Sequence, residues 1–301
     1  MHLSLGTAQF GSVYGITNTY GIPSEYDVYR MLDMFFEAGH SFLDTAQEYG
    51  DAHKKISKWY QKNSLILKSQ ANITTKLYIK NKSDINLFKY NIERICEELG
   101  LGNLYGILIH NPASVVDADD CYRLNEQFKI LKGSGVVKKT GVSVYTPQEL
   151  LNLYDKIPEI DFIQCPANIL DHRFLQPEIQ NFCVQRNIEI HARSLFLQGL
   201  LLSAKTPEKL LINNDIINAI DVYKRFLKKN HLTTIEACCL FAYQNKDKIA
   251  RWVVGFNLPG ELEEFMLQIN KITGQSKVSF DEFANKNSYV DPRTWSYVSI
   301  C

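Results

Sequence analysis

Eight short runs rich in β-branched and aromatic residues recur along this 301-residue chain, nearly all followed by a stretch with helical spacing. The runs are LSLGT (3–7), SFLDTA (41–46), ITTK (73–76), LYGILIH (104–110), KTGVSV (139–144), FIQCPA (162–167), EIHARS (189–194) and RWVVGF (251–256). Between them lie amphipathic segments. SEYDVYRMLDMFFEAG places Tyr26, Tyr29, Met31, Leu32, Phe35 and Phe36 mostly at helical spacing behind Ser24 as N-cap. DINLFKYNIERICEELG repeats the pattern through Leu87, Ile92, Ile95, Cys96 and Leu99 and closes on Gly100 as C-terminal cap. Strands alternating with helices spell a parallel sheet. The number eight favours closure into an α/β (β/α)8 TIM barrel over an open doubly wound sheet. No G-x-G-x-x-G turn follows the first strand, which counts against a Rossmann domain. The longest interval, 195–250, opens on LFLQGLLLSAKTPEKL and is expected to hold a loop and two helices. Without a linker rich in Pro, Gly or Ser, residues 1–301 read as a single domain.

A parallel barrel builds its site at the C-terminal ends of the strands. The second run ends on Asp44, with Tyr49 in the loop beyond; the third ends on Lys76 and the fourth on His110. Successive strand ends are neighbours, so an acid, a phenol, a lysine and an imidazole converge on one rim. A free tyrosine has a pKa near ~10. A nearby ammonium lowers it, and a carboxylate holds that ammonium charged and oriented. Asp44 and Lys76 are expected to pair, Tyr49 to exchange the proton, and His110 to fix the angle of a carbonyl oxygen.

These residues also carry a resemblance. D-T-A-x-x-Y-G (Asp44 to Gly50), T-K (Thr75–Lys76), I-H-N-P (Ile109 to Pro112) and G-V-S (Gly141 to Ser143) resemble, in that order, the aldo-keto reductase superfamily. LGTAQFG near the start, FLQGLL after the seventh run and VDPRTW near the end resemble a bacterial branch. The resemblance implies a nicotinamide cofactor across the barrel mouth, passing hydride to a carbonyl carbon while Tyr49 protonates the oxygen. The cofactor-contacting positions it implies are Thr7, Asp44, Ser143, Gln164, Arg193, Ser194, Leu195, Gln198, Gly255 and Glu264. Ser143 and Gln164 would hold the carboxamide, Ser194 to Gly199 would pass the pyrophosphate, and Gly255 to Glu264 would approach the adenosine. Tyr14 and Asn111 are candidates for the substrate mouth.

Three departures qualify the match. Relatives usually carry Asn where this chain has Val144, and an aromatic residue beneath the nicotinamide where it has Arg193. GFNLPGELEEF lacks the Lys and Arg that grip an adenosine 2′-phosphate, and Glu261 falls near one of those places. NADP(H) is the family default; the local chemistry leaves NAD(H) open. Two other readings use the same residues. Val144 and Arg193 suit a non-catalytic nucleotide-binding regulatory barrel, and Lys76 suits a Schiff-base aldolase or lyase. Asp44 speaks against the latter, because it keeps the amine protonated.

Thirty-three basic and thirty-three acidic residues give zero formal net charge, which points away from nucleic acid and anionic membranes. Seven scattered cysteines, an odd count with no two-residue gap, read as reduced thiols in a cytoplasmic protein. The start carries no cationic leader, and no window reaches the roughly 18 apolar residues of a membrane span. His2, His40, His53, His172, His191 and His231 form no H-x-x-x-H or carboxylate cluster, so no metal is expected. KKISKWYQK (54–62) reads as a solvated helix face. VDPRTW is expected to anchor the tail across the barrel. The expected partner is a small carbonyl or alcohol, possibly sugar-derived, and the expected state a monomer.

Overall fold

A computed structural model describes residues 1–63, 71–115, 117–203, 214–272, 278–284 and 290–295. Its strands are β1 (Leu3–Gly6), β2 (Phe42–Asp44), β3 (Asn72–Leu77), β4 (Leu104–Ile109), β5 (Val137–Ser143), β6 (Phe162–Pro166), β7 (Glu189–Arg193) and β8 (Arg251–Gly255). Each pairs in parallel with its sequence neighbour, and β1 pairs with β8, so the barrel closes. The outer layer contains α1 (Glu25–Glu37), α2 (Ala52–Lys62), α3 (Phe88–Leu99), α4 (Ala118–Gly133), α5 (Pro147–Tyr154), α6 (Pro177–Gln185), α7 (Asn214–Asn230), α8 (Thr234–Gln244) and α9 (Pro259–Lys271). This is the expected (β/α)8 barrel.

Local chemistry sets the helix ends. The Ser24 hydroxyl accepts from the Asp27 N–H at 3.1 Å, and α1 buries Val28, Met31, Leu32, Phe35 and Phe36. Tyr26 differs from expectation, being 69% exposed on the outer face of α1. The second pattern breaks at Leu87: a short helix, Lys82–Asn86, precedes α3, and Leu87 is exposed at the joint. Gly100 ends α3 at φ +71°, a conformation that suits glycine. Helix α2 buries Ile56, Trp59 and Tyr60 and leaves Lys54 and Lys58 in water, as a solvated-face reading requires. The expected two helices between β7 and β8 are α7 and α8, while the AKTPEKLLIN part of that interval (204–213) lies outside the described residues. The VDPRTW segment, expected to anchor the tail, fastens to the residues that follow β5. Arg293 bonds Glu149 at 2.8 Å and places its guanidinium 3.9 Å from the Tyr145 ring centre. Cys96, Cys121, Cys165, Cys183, Cys238 and Cys239 are all buried and unpaired. No described helix is long and apolar enough to cross a membrane.

Side chains alternate along each strand, so residues two apart share a face. Leu43, Ile73 and Ile163 join the apolar core, while Asp44, Lys76 and Gln164 meet inside the barrel. The N-terminal end is plugged by residues at strand starts. Arg251 lies 3.1 Å from the Phe42 ring centre, and the Tyr105 hydroxyl donates to Glu189 at 3.2 Å. Lys139 pairs with Glu189 at 2.5 Å, and His191 approaches it at 3.4 Å. Hydrogen bonding from His191, reinforced by Lys139, holds the Glu189 carboxyl down from 4.5 to about 2. A depressed carboxyl stabilises the fold above its unfolded pKa, and that contribution is lost as pH falls. We therefore expect Glu189→Gln to lower the urea midpoint at pH 7, with the gap from wild type closing between pH 4.5 and about 2.

Candidate active site

The last residue of β2 organises the C-terminal rim. Asp44 is buried inside the barrel and uses both carboxylate oxygens: Oδ1 accepts from Lys76 Nζ at 2.5 Å, and Oδ2 from Gln164 Nε2 at 2.6 Å. Gln164 comes from β6 on the opposite wall, so this second bond spans the barrel. Lys76 is 1% exposed and donates twice more, to the Thr45 carbonyl at 3.1 Å and the Tyr49 hydroxyl oxygen at 3.2 Å. Three bonds saturate an ammonium. A charge this deep is tolerated because it is paired and fully bonded.

Tyr49 is fixed by backbone contact. A Cβ on Gly11 would sit 1.9 Å from the Tyr49 carbonyl oxygen, and one on Gly50 would sit 2.0 Å from that of Gly11. Gly50 also has φ +55°. Only glycines permit the β1 and β2 loops to close this tightly. His110 follows β4 directly, its ring edge-on to Tyr49 at 6.0 Å and to Tyr78 at 6.3 Å. Its Nδ1 lies 3.1 Å from Glu48 Oε2, a carboxylate that sequence reading passed over. Glu48 is adjacent to Tyr49 in sequence, but its partner sits on another strand end.

The electrostatics correct one expectation. The Tyr49 phenol is pushed up, not down. Burial is the main cause, the Asp44 charge adds to it, and Arg193 opposes both. Desolvation decides the sign, and the Asp44 charge acts in the same direction. Lys76 is itself held below the usual lysine range by burial, against the pull of Asp44. Tyr49 is thus a neutral phenol at physiological pH whose oxygen receives a hydrogen bond from Lys76.

Tyr49 opens onto a cleft of about 630 Å³. Thr7, Asp44, Gln164, Arg193, Ser194, Leu195, Gln198, Gly255 and Glu264 all line it, as does Tyr14. Tyr14 is 40% exposed overall, yet its hydroxyl is enclosed enough that burial pushes it up to about 12. Ser143 differs: it is buried in β5, in register with Gln164, and is not among the lining residues. The Gln164 amide nitrogen is committed to Asp44, which leaves its carbonyl oxygen for a ligand. Asn111 is structural, exchanging two 2.8 Å bonds with the Ile79 backbone. Glu261 caps α9, accepting from the N–H groups of Asn257 at 2.7 Å and Leu258 at 3.3 Å. Sequence reading missed Gln9, Thr17 and Asn18, from the segment between β1 and α1, and Thr233 to Ile235, from the start of α8, which line the cleft from two segments far apart in the chain. Among the described residues, no three His, Cys, Asp or Glu side chains converge as a metal ion requires.

The profile of the Aldo/keto reductase family matches residues 2–277, and the chain belongs to that family. It is a family of oxidoreductases that generally use NAD(P)H. Solved structures agree in fold. The holo form of an aldo-keto reductase from Bacillus halodurans superposes with a TM-score of 0.74 at 17% identity, covering 95% of this chain and 93% of its own. A Pseudomonas aeruginosa protein described as an aldo-keto reductase gives 0.63 at 16% identity, covering 89% and 88%. No curated protein matches in sequence.

Removing one member of the buried pair leaves an unpaired charge or a stranded polar group. Asp44→Asn and Lys76→Met should each cost about 3–5 kcal/mol in chemical denaturation. The double variant should cost clearly less than their sum, and additivity would show that the pair does not interact.

Proposed function

We propose that the protein is an NAD(P)(H)-dependent reductase of small carbonyl compounds, with Asp44, Tyr49, Lys76 and His110 carrying the chemistry. The observation behind this is a neutral phenol opening onto the cleft, with a saturated lysine 3.2 Å behind its oxygen. A nicotinamide dinucleotide bound in the cleft supplies the hydride. The lining suits such a ligand: Arg193 brings a positive charge, and Asn257 Oδ1 is a buried acceptor with no partner among the described residues. Gln164 offers its carbonyl oxygen to an amide.

Tyr49 gives its proton to the carbonyl oxygen as negative charge develops there. Lys76 already donates to the phenol oxygen and steadies the charge left on it, while Asp44 keeps the ammonium oriented. His110, turned by Glu48, orients the substrate oxygen. A Schiff-base role for Lys76 is disfavoured, since all three of its hydrogens are engaged and the residue is buried. A non-catalytic barrel is disfavoured because the proton-transfer cluster is fully assembled.

The far end of the cleft favours NAD(H). Glu261 and Glu264 line it, and Arg193 is the one cation among the described lining residues. A carboxylate there accepts from a ribose hydroxyl and repels a 2′-phosphate. NADH should therefore bind more tightly than NADPH in fluorescence titration, and Glu261→Gln, which still caps α9, should narrow the difference.

Tyr49→Phe should lower carbonyl reduction by roughly 10²–10⁴-fold while leaving dinucleotide affinity near wild type. Equal rates in the two proteins would remove Tyr49 from this role. Because the phenol is pushed above its ordinary value of 10, its basic form appears only at high pH. Alcohol oxidation should therefore keep rising with pH without a plateau below pH 10, whereas reduction should show no loss from Tyr49 ionisation below that point.

A further inference from the structure

The carboxylates around the reacting end of the cleft are already engaged. Asp44 binds Lys76 and Gln164, and Glu48 meets His110. Asp171 holds Arg173 through two bonds of 2.8 and 2.7 Å. Glu149 and Asp291 both hold Arg293. Arg193 is left over. It is half-buried, and no described carboxylate lies within ion-pair distance of it. Its hydrogen bonds are long, 3.3 Å to the Ser194 hydroxyl and 3.4 Å to the Val144 carbonyl. Its guanidinium rests 4.1 Å from the centre of the Tyr145 ring, which Arg293 also contacts. This side chain is held in place as a cation with no counter-ion among the described residues.

Its field reaches the chemistry. Arg193 lines the cleft together with Asp44, Tyr49 and Gln164 and pulls the Tyr49 phenol downward against burial. We propose that Arg193 makes the reacting end discriminate between the two redox forms of the nicotinamide cofactor, retaining the neutral reduced ring and disfavouring the cationic oxidised one. This rests on the dinucleotide reading above. Hydride transfer moves a hydrogen and its electron pair from the ring to the carbonyl carbon, and the carbonyl oxygen takes the proton of Tyr49. The substrate begins and ends neutral, and solvent later restores the phenol proton. The nicotinamide ring ends with one more positive charge than it began with. It must stand where its hydride reaches a carbon whose oxygen touches Tyr49, which confines it to the end of the cleft that Arg193 lines. At an effective dielectric of about 20, a unit charge several ångströms away changes affinity by roughly tenfold or more. The substitution of Arg193 for an aromatic residue thus biases the site towards loading reduced cofactor and releasing oxidised cofactor. It makes the protein a reductase first.

Fluorescence and calorimetric titrations with NAD⁺ and NADH test this on wild type, Arg193→Met and Arg193→Lys, with thermal melts confirming that each variant is folded. Wild type should bind NADH at least about tenfold more tightly than NAD⁺. Arg193→Met, similar in length but neutral, should reduce that ratio by about tenfold, and Arg193→Lys should keep most of it. A packing role alone would weaken both forms alike, so an unchanged ratio in Arg193→Met overturns the inference whatever happens to the separate affinities. If wild type binds neither form, the dinucleotide reading itself falls and this one with it.

Discussion

The buried ion pair between Asp44 and Lys76 is the constraint on which the rest of the site depends. Two opposite charges have been taken out of water into the mouth of a barrel, and neither is tolerable there alone. The pair is completed from three directions: Thr45 and Tyr49 accept from the ammonium, and Gln164 donates from across the barrel. One network therefore ties β2, β3, β6 and the Tyr49 loop together. The geometry that stabilises the mouth is the same geometry that places the phenol.

That network encloses the phenol, and the Asp44 charge adds to the upward Tyr49 shift that burial sets. Burial dominates, so the phenol remains an acid held ready rather than a phenolate in waiting. Arg193 brings to the mouth a positive charge with no ion-pair partner among the described residues, and its neighbours Tyr145, Val144 and Ser194 hold it without neutralising it. The two features act in the same sense. Under the proposed function, a protonated donor and a cation that opposes oxidised nicotinamide would both favour delivery of hydride and proton to a carbonyl. At the other end, acidic Glu261 both caps α9 and brings a carboxylate to the cleft lining.

What was legible in the sequence was whatever is decided within a few residues. The eight strands were readable because short β-rich runs alternate with helical periodicity, and Ser24 and Gly100 marked helix ends by the chemistry of the cap itself. Asp44, Tyr49, Lys76 and His110 were readable as a group because a closed parallel barrel makes successive strand ends neighbours. Where a residue's partner lies far along the chain, sequence was silent. The sequence did not single out Glu48, whose partner His110 lies on another strand end, and it did not show that the Gln164 amide nitrogen is taken by Asp44 from across the barrel.

The sequence by itself determined the barrel, the order of its strands and the identity of the rim residues, because periodicity and strand-end position are local properties. Only the tertiary structure decided the direction of the Tyr49 shift and the isolation of Arg193. Both are sums over burial and charges brought together from β2, β3, β5, β6 and β7. No short stretch of chain contains all the terms of those sums.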